Sequence, residues 1–106
     1  MNSKIRISSS DLHPHIEARM RQRGVTIDEI ETTISLGWDA DDAKVGTIGK
    51  VFVFPYNEDW EGGLFEEKEV TVYYKYRDEK LILLTTKARY GRRFRKGEND
   101  ENRIRS

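Results

Sequence analysis

Apolar and polar positions alternate in two different rhythms along this chain, and the rhythm changes near its middle. Up to about residue 37 the apolar residues recur every three or four positions. Leu12, Ile16 and Met20 form one such ridge, with His15, Arg19 and Arg23 as a polar ridge beside it. On a helix over residues 11–23, one ridge can enter a core while the other lines its border. Ser10 or Asp11 can cap this helix, Pro14 is tolerable in its first turn, and Gly24 supplies a left-handed stop. A second helix follows directly. Thr26 and Glu29 are spaced as a capping box, Val25 and Ile30 as a hydrophobic staple, and Gly37 as the end. So short a link makes the pair a tight αα-hairpin or corner.

Beyond an acidic loop at residues 38–46, the rhythm becomes that of strands. Residues 47–56 centre on Val51, Phe52, Val53 and Phe54, and Pro55 places an edge or bulge near the end. Residues 57–67 read as a long connecting loop turning at Gly62 and Gly63. In the strand predicted over 69–76, Val70, Val72, Tyr74 and Tyr76 share one face, and Thr71, Tyr73 and Lys75 the other. Asp78 and Glu79 sit in a short hairpin connection. Residues 81–86 are the most apolar strand, which suggests a central place in the sheet. The predicted order is α-α-β-β-β, an α+β domain with two N-terminal helices on an antiparallel sheet of three to four strands. Residues 1–10 read as an arm, 11–94 as one domain and 95–106 as a polar, disordered tail.

Charge changes this picture in one respect. The 106 residues sum to a net charge of zero, but the charges are segregated. Residues 1–24 carry five basic and two acidic side chains, residues 25–70 three and twelve, and residues 71–106 eleven and five. If the two basic ends meet in the fold, they make a basic face suited to a phosphate-bearing partner. The chain has no cysteine, which excludes disulfides and thiolate metal sites. No apolar run reaches the roughly 18–20 residues of a membrane span, and residues 1–10 lack a signal-peptide core. These features point to a cytoplasmic location.

The residues able to carry chemistry lie in the two basic segments. His15 can exchange a proton near neutral pH, and Arg19 and Arg23, one and two turns on, can gather a phosphate beside it. That combination suits phosphodiester cleavage, although an ordinary surface helix has the same spacing. His13 and His15 lack a third ligand nearby, so no metal is assigned. Thr85 and Thr86 close the aliphatic strand and can face a site or only satisfy the sheet. After Lys87 the chain turns basic, and Arg89, Tyr90, Arg92, Arg93, Phe94 and Arg95 mix cations with aromatic rings, as RNA-binding surfaces do; a plain charged tail is the alternative. Trp38 and Trp60 can anchor a partner or cover a core edge.

The run H-I-E-A-R-M-R-Q-R-G-V-T, then D-E-I-E, V-T-V-Y-Y and L-I-L-L-T, resembles small prokaryotic domains of unknown function. These are related to RelE-type toxins, in the barnase–EndoU–colicin–RelE superfamily. The likeness spans about residues 13–91. Lys87, Ala88 and Arg89 are similar to a basic stretch of BrnT-type toxins. The resemblance implies a RelE-like fold and a metal-independent, cofactor-free endoribonuclease, usually held in check by a cognate antitoxin protein. Carried over by position, it makes His15, Arg19, Arg23, Thr85 and Tyr90 catalytic and places Lys87 and Arg89 on the RNA; Arg92 and Arg93 are assigned to RNA binding by the basic, aromatic character of their own stretch. Ile16 departs from the small residue that often follows the histidine, and the acidic middle departs from strongly basic toxins. The alternative is a non-catalytic RNA- or protein-binding module of the same fold.

Overall fold

A computed structural model of the protein describes Ile7 and residues 12–97. It is an α+β domain: helices α1 (Pro14–Arg23) and α2 (Ile27–Leu36) lie on one face of a four-stranded antiparallel sheet. The strands are β1 (Trp38–Asp39), β2 (Ile48–Trp60), β3 (Gly63–Arg77) and β4 (Lys80–Gly91), in the order β1-β2-β3-β4. Among the described residues, no helix is long and apolar enough to cross a membrane.

Local chemistry explains the helix ends. Pro14 opens α1 after His13, whose extended backbone takes the N-cap place predicted for Ser10 or Asp11; those two lie outside the described residues. Gly24 ends α1 at φ 73°, and the Val25 N–H closes the helix on the Met20 carbonyl at 2.9 Å. Thr26 and Glu29 form the capping box in both directions, with the Glu29 N–H donating to Thr26 Oγ1 at 3.1 Å and the Thr26 N–H to Glu29 Oε1 at 3.0 Å. Gly37 ends α2 for a different reason. Its backbone is extended, and a Cβ would come within 2.4 Å of the Thr33 and Val51 carbonyl oxygens.

The sheet is larger than the strand pattern predicts. The expected loop over 57–67 is a continuation of β2 and β3, which pair out to Trp60 and Gly63. Their turn, Glu61 and Gly62, has positive φ at both residues (49° and 89°). Asp78 and Glu79 do the same (52° and 65°) between β3 and β4. Two such residues match the right-handed twist of the strands they join. Asn57, at φ 50°, marks the bulge after Pro55. The polar residues of 57–67 hid this extension, because a strand pair reaching beyond the core needs no apolar alternation. The two-residue β1 lies inside the predicted acidic loop and pairs with Lys50 and Val51.

β4 is an edge strand, not a central one. Successive hairpins place the last strand outermost, and its apolar residues are accounted for by α1, which packs over it. Ile16, Met20, Val25, Ile30 and Ile34 from the helical layer meet Val70, Val72, Tyr74 and Leu83 from the sheet. Ile7 belongs to this core, and its N–H donates to Glu31, so the predicted arm is anchored at that residue. At the other end, residues 92–97 cross the face of the sheet away from the helices. The Phe94 N–H and Lys96 Nζ both bond Glu67, at 2.9 and 2.8 Å, and Gly97 lies against Trp38. Residues 95–97, of the tail expected over 95–106, are described beside the sheet; residues 98–106 lie outside the described residues.

Candidate nucleic-acid interface

The two basic segments meet where α1 ends on β4. The Tyr90 hydroxyl donates to the Arg23 carbonyl, and Lys68 Nζ donates to the carbonyl of Gly24 next to it. The Arg23 side chain then turns outward and Nε donates to the Thr86 carbonyl at 3.2 Å. An edge strand leaves one side of its backbone without a ladder partner, and Arg23 caps one such carbonyl. From there the guanidinium borders a groove of about 280 Å³, together with Glu69, Thr71, Lys87, Ala88 and Arg89. Three cations thus face one carboxylate. Arg89 grips that carboxylate with two hydrogen bonds, Nε to Glu69 Oε1 at 2.8 Å and a terminal nitrogen to Oε2 at 3.2 Å. No carboxylate among the described residues pairs with Arg23 or Arg19, whereas Lys50, Lys68, Lys87, Arg89, Arg92 and Lys96 of the sheet and its trailing segment each have one.

Along the sheet the groove continues into a wider cleft of about 540 Å³, which shares Glu69, Thr71, Lys87 and Arg89 and is bounded by Trp38, the acidic loop, Tyr73 and Arg95. Asp42 joins the two sides. Its Oδ1 accepts from the Tyr73 hydroxyl at 2.7 Å and its Oδ2 from Lys87 at 3.3 Å, while Lys87 lies 5.2 Å from the centre of the Tyr73 ring. The Tyr73 hydrogen bond holds the Asp42 carboxyl below its ordinary pKa. Burial, then the Asp42 hydrogen bond, pushes the Tyr73 phenol up, and the bond to Tyr73 raises the Lys87 ammonium. All three groups therefore keep their charge states at neutral pH.

Tyr90 sits beneath this rim and not in it. Its ring stacks on Trp60 with centroids 4.8 Å apart and meets Tyr56 edge-on at 5.3 Å, with Phe65 beyond. Burial raises its phenol well above the ordinary range. The hydroxyl is spent on Arg23, so Tyr90 positions the end of α1.

The other predicted residues spread along two faces. His15 is exposed, and two helical turns, about 12 Å of rise, separate it from Arg23. Among the described residues nothing hydrogen-bonds its ring. Arg19, between them, donates to Gln22 at 3.0 Å. Thr85 pairs with Tyr73 on the face away from α1; the neighbour that faces the helices is Thr86, fully buried, with its hydroxyl on the Thr71 carbonyl at 2.8 Å. Arg92 pairs with Glu66 at 3.7 Å, and neither it nor Arg93 borders the groove. Lys87 and Arg89 do. Sequence reasoning missed Glu69 and Asp42 as site residues. The alternation that puts Thr71 and Tyr73 on one face also puts Glu69 there, which was a usable signal; Asp42 had none beyond its acidic neighbourhood.

No family model matches the chain, and no curated protein or solved structure matches it either.

Proposed function

We propose that the chain is an RNA-binding protein of RelE-like type that seats a backbone phosphate at the β4 edge, between Arg23, Lys87 and Arg89. The placement of Arg23 carries the proposal: it is anchored by its carbonyl and its Nε, it has no carboxylate partner among the described residues, and it borders a groove together with Lys87 and Arg89. A planar guanidinium held in this way suits a phosphate oxyanion. The α1 ridge extends the track to Arg19 and His15.

In the catalytic form of this reading, the protein is a metal-independent endoribonuclease. The ribose 2′-OH attacks the adjacent phosphorus, the bond to the 5′-oxygen breaks, and a 2′,3′-cyclic phosphate results. His15 takes the proton from the 2′-OH or gives one to the leaving oxygen, and Arg19 and Arg23 stabilise the developing charge. Tyr90 contributes by holding Arg23. A toxin of this kind calls for a cognate antitoxin, here a protein presenting carboxylates to the same groove. The exposed position of His15, two turns from Arg23, favours the second form, a binding module without catalysis.

The test is fluorescence anisotropy of a labelled single-stranded oligouridylate over a NaCl series, with the same RNA and its DNA counterpart run on denaturing gels in EDTA. Binding should weaken steeply with salt, and Arg23→Gln should lower affinity severalfold and flatten the log–log slope by about 0.7. Salt-independent binding, or an Arg23→Gln protein equal to wild type, would sink the phosphate site. Cutting of RNA but not DNA, lost in His15→Ala, selects the endoribonuclease. Intact RNA at saturating protein selects the binding module.

A further inference from the structure

We propose that Asp42 is a built-in competitor for the phosphate at Lys87, so that the acidic loop between β1 and β2 sets how tightly the groove holds RNA. This rests on the phosphate reading of the groove and adds its regulation.

The loop over residues 40–46 touches the sheet lightly. The Ala40 N–H donates to the Gly49 carbonyl at 2.9 Å, and Thr47 closes back on the Lys44 carbonyl. Among the described residues, Asp42 is the loop side chain that bonds a side chain of the sheet. Its aim is fixed from below. Gly49 lies across from Tyr73 on β2, and a Cβ there would press on the Tyr73 ring at 3.1 Å and on Ala40 at 2.9 Å. Glycine therefore lets the ring lie flat and the loop descend. The phenol then holds one Asp42 oxygen at 2.7 Å, which presents the other to Lys87 at the looser distance of 3.3 Å.

Asp42 and Lys87 are both about half exposed or more, at 63% and 51%. Such pairs are weak and screened by salt. A carboxylate at Lys87 occupies the place a phosphate oxygen would take. An RNA phosphate can displace it, because the Asp42–Lys87 contact is long and open to water. Lys87 then adds a third cation contact to those of Arg23 and Arg89. The Glu69–Arg89 pair is different: it is bidentate, and Glu69 is largely buried. Of the two carboxylates paired with Lys87 and Arg89, Asp42 is the one that can leave.

The experiment compares Asp42→Asn, Asp41→Asn, Lys87→Gln and the Asp42→Asn/Lys87→Gln double variant with wild type, using the same oligouridylate anisotropy and circular dichroism to check folding. Asparagine keeps an acceptor for Tyr73 and removes the charge. Asp41 borders the same cleft and controls for net charge. Asp42→Asn should tighten binding by about two- to fivefold. Asp41→Asn should do clearly less, and Asp42→Asn should change nothing once Lys87 is glutamine. Tightening no greater than that of Asp41→Asn, or tightening that survives in the double variant, overturns the proposal. If wild type binds and Arg23→Gln weakens it while Asp42→Asn has no effect, the groove stands and the competitor falls. If no variant binds, the groove itself is refuted, and the competitor with it.

Discussion

Lys68→Met tests the corner on which the groove depends. The side chain of Lys68 is 3% exposed, and its ammonium donates to the Gly24 carbonyl and to both oxygens of Glu29, the latter at 2.8 and 3.0 Å. It also lies 5.4 and 5.5 Å from the ring centres of Tyr56 and Tyr90, within cation–π range. Methionine fills a similar volume but leaves Glu29 and the Gly24 carbonyl without their donor. Breaking a fully buried ion pair costs about 3–5 kcal/mol. Glu29 is 19% exposed and keeps the Thr26 N–H, so water and the capping box offset part of that loss. A cost of about 2–3 kcal/mol follows, or a fall in Tm of roughly 10–20 °C for a domain of this size. Urea unfolding at neutral pH measures it directly. Glu29→Gln should be costly alone and nearly silent in the Lys68→Met background, with a coupling of about 1–2 kcal/mol. A Lys68→Met protein within about 0.5 kcal/mol of wild type, or strict additivity of the two substitutions, would refute the clamp.

Gly24 should be irreplaceable for two separable reasons. Its φ is 73°, and a Cβ would lie 2.4 Å from the Trp60 ring, so Gly24→Ala should cost about 1 kcal/mol for the backbone and about 1–3 more for displacing the ring. Gly62→Ala, at φ 89° but facing open space, should show only the first part; equal losses in chemical denaturation would contradict the packing term. Glu67 gives a pH signature: the hydrogen bond from Lys96, then that from the Phe94 N–H, holds its carboxyl below the ordinary range. A lowered folded pKa contributes stability above the unfolded value, about 4.3, and loses it as the pH falls through the folded one. The Phe94 amide should therefore lose hydrogen-exchange protection on acidification below about pH 4.3. An unchanged pH profile in Glu67→Gln would show that Glu67 is not the group responsible.

What could be read from the residues alone was what neighbours in the chain decide between themselves. Pro14, Gly24, the Thr26–Glu29 box and the alternation of 69–76 act over one turn or one strand, and each is where it was predicted. The sheet's extension over 57–67 was hidden, because those strands are held by ladder hydrogen bonds and two-residue turns and by the rings gathered on Tyr90. The Thr85–Thr86 question was undecidable from alternation. A bulge between Tyr73 and Tyr74 makes Leu84 the extra residue of β4, so the inward phase passes from Leu81 and Leu83 to Thr86 and Ala88. Phase along a strand is a local property, but the place where it slips depends on the partner strand.

The same division holds for the candidate site. Sequence determined that the chain has a basic beginning, an acidic middle and a basic end, and which arginines and lysines lie in each. Tertiary structure decided that the ends meet, that Arg23 joins Lys87 and Arg89 while His15 stays two turns away, and that Asp42 reaches Lys87 across 45 positions. Local sequence sets each side chain's chemistry and its face. Which faces come together depends on the order of strands in the sheet and on which strand each helix covers, since burial of apolar surface is shared by the whole core and belongs to no single segment.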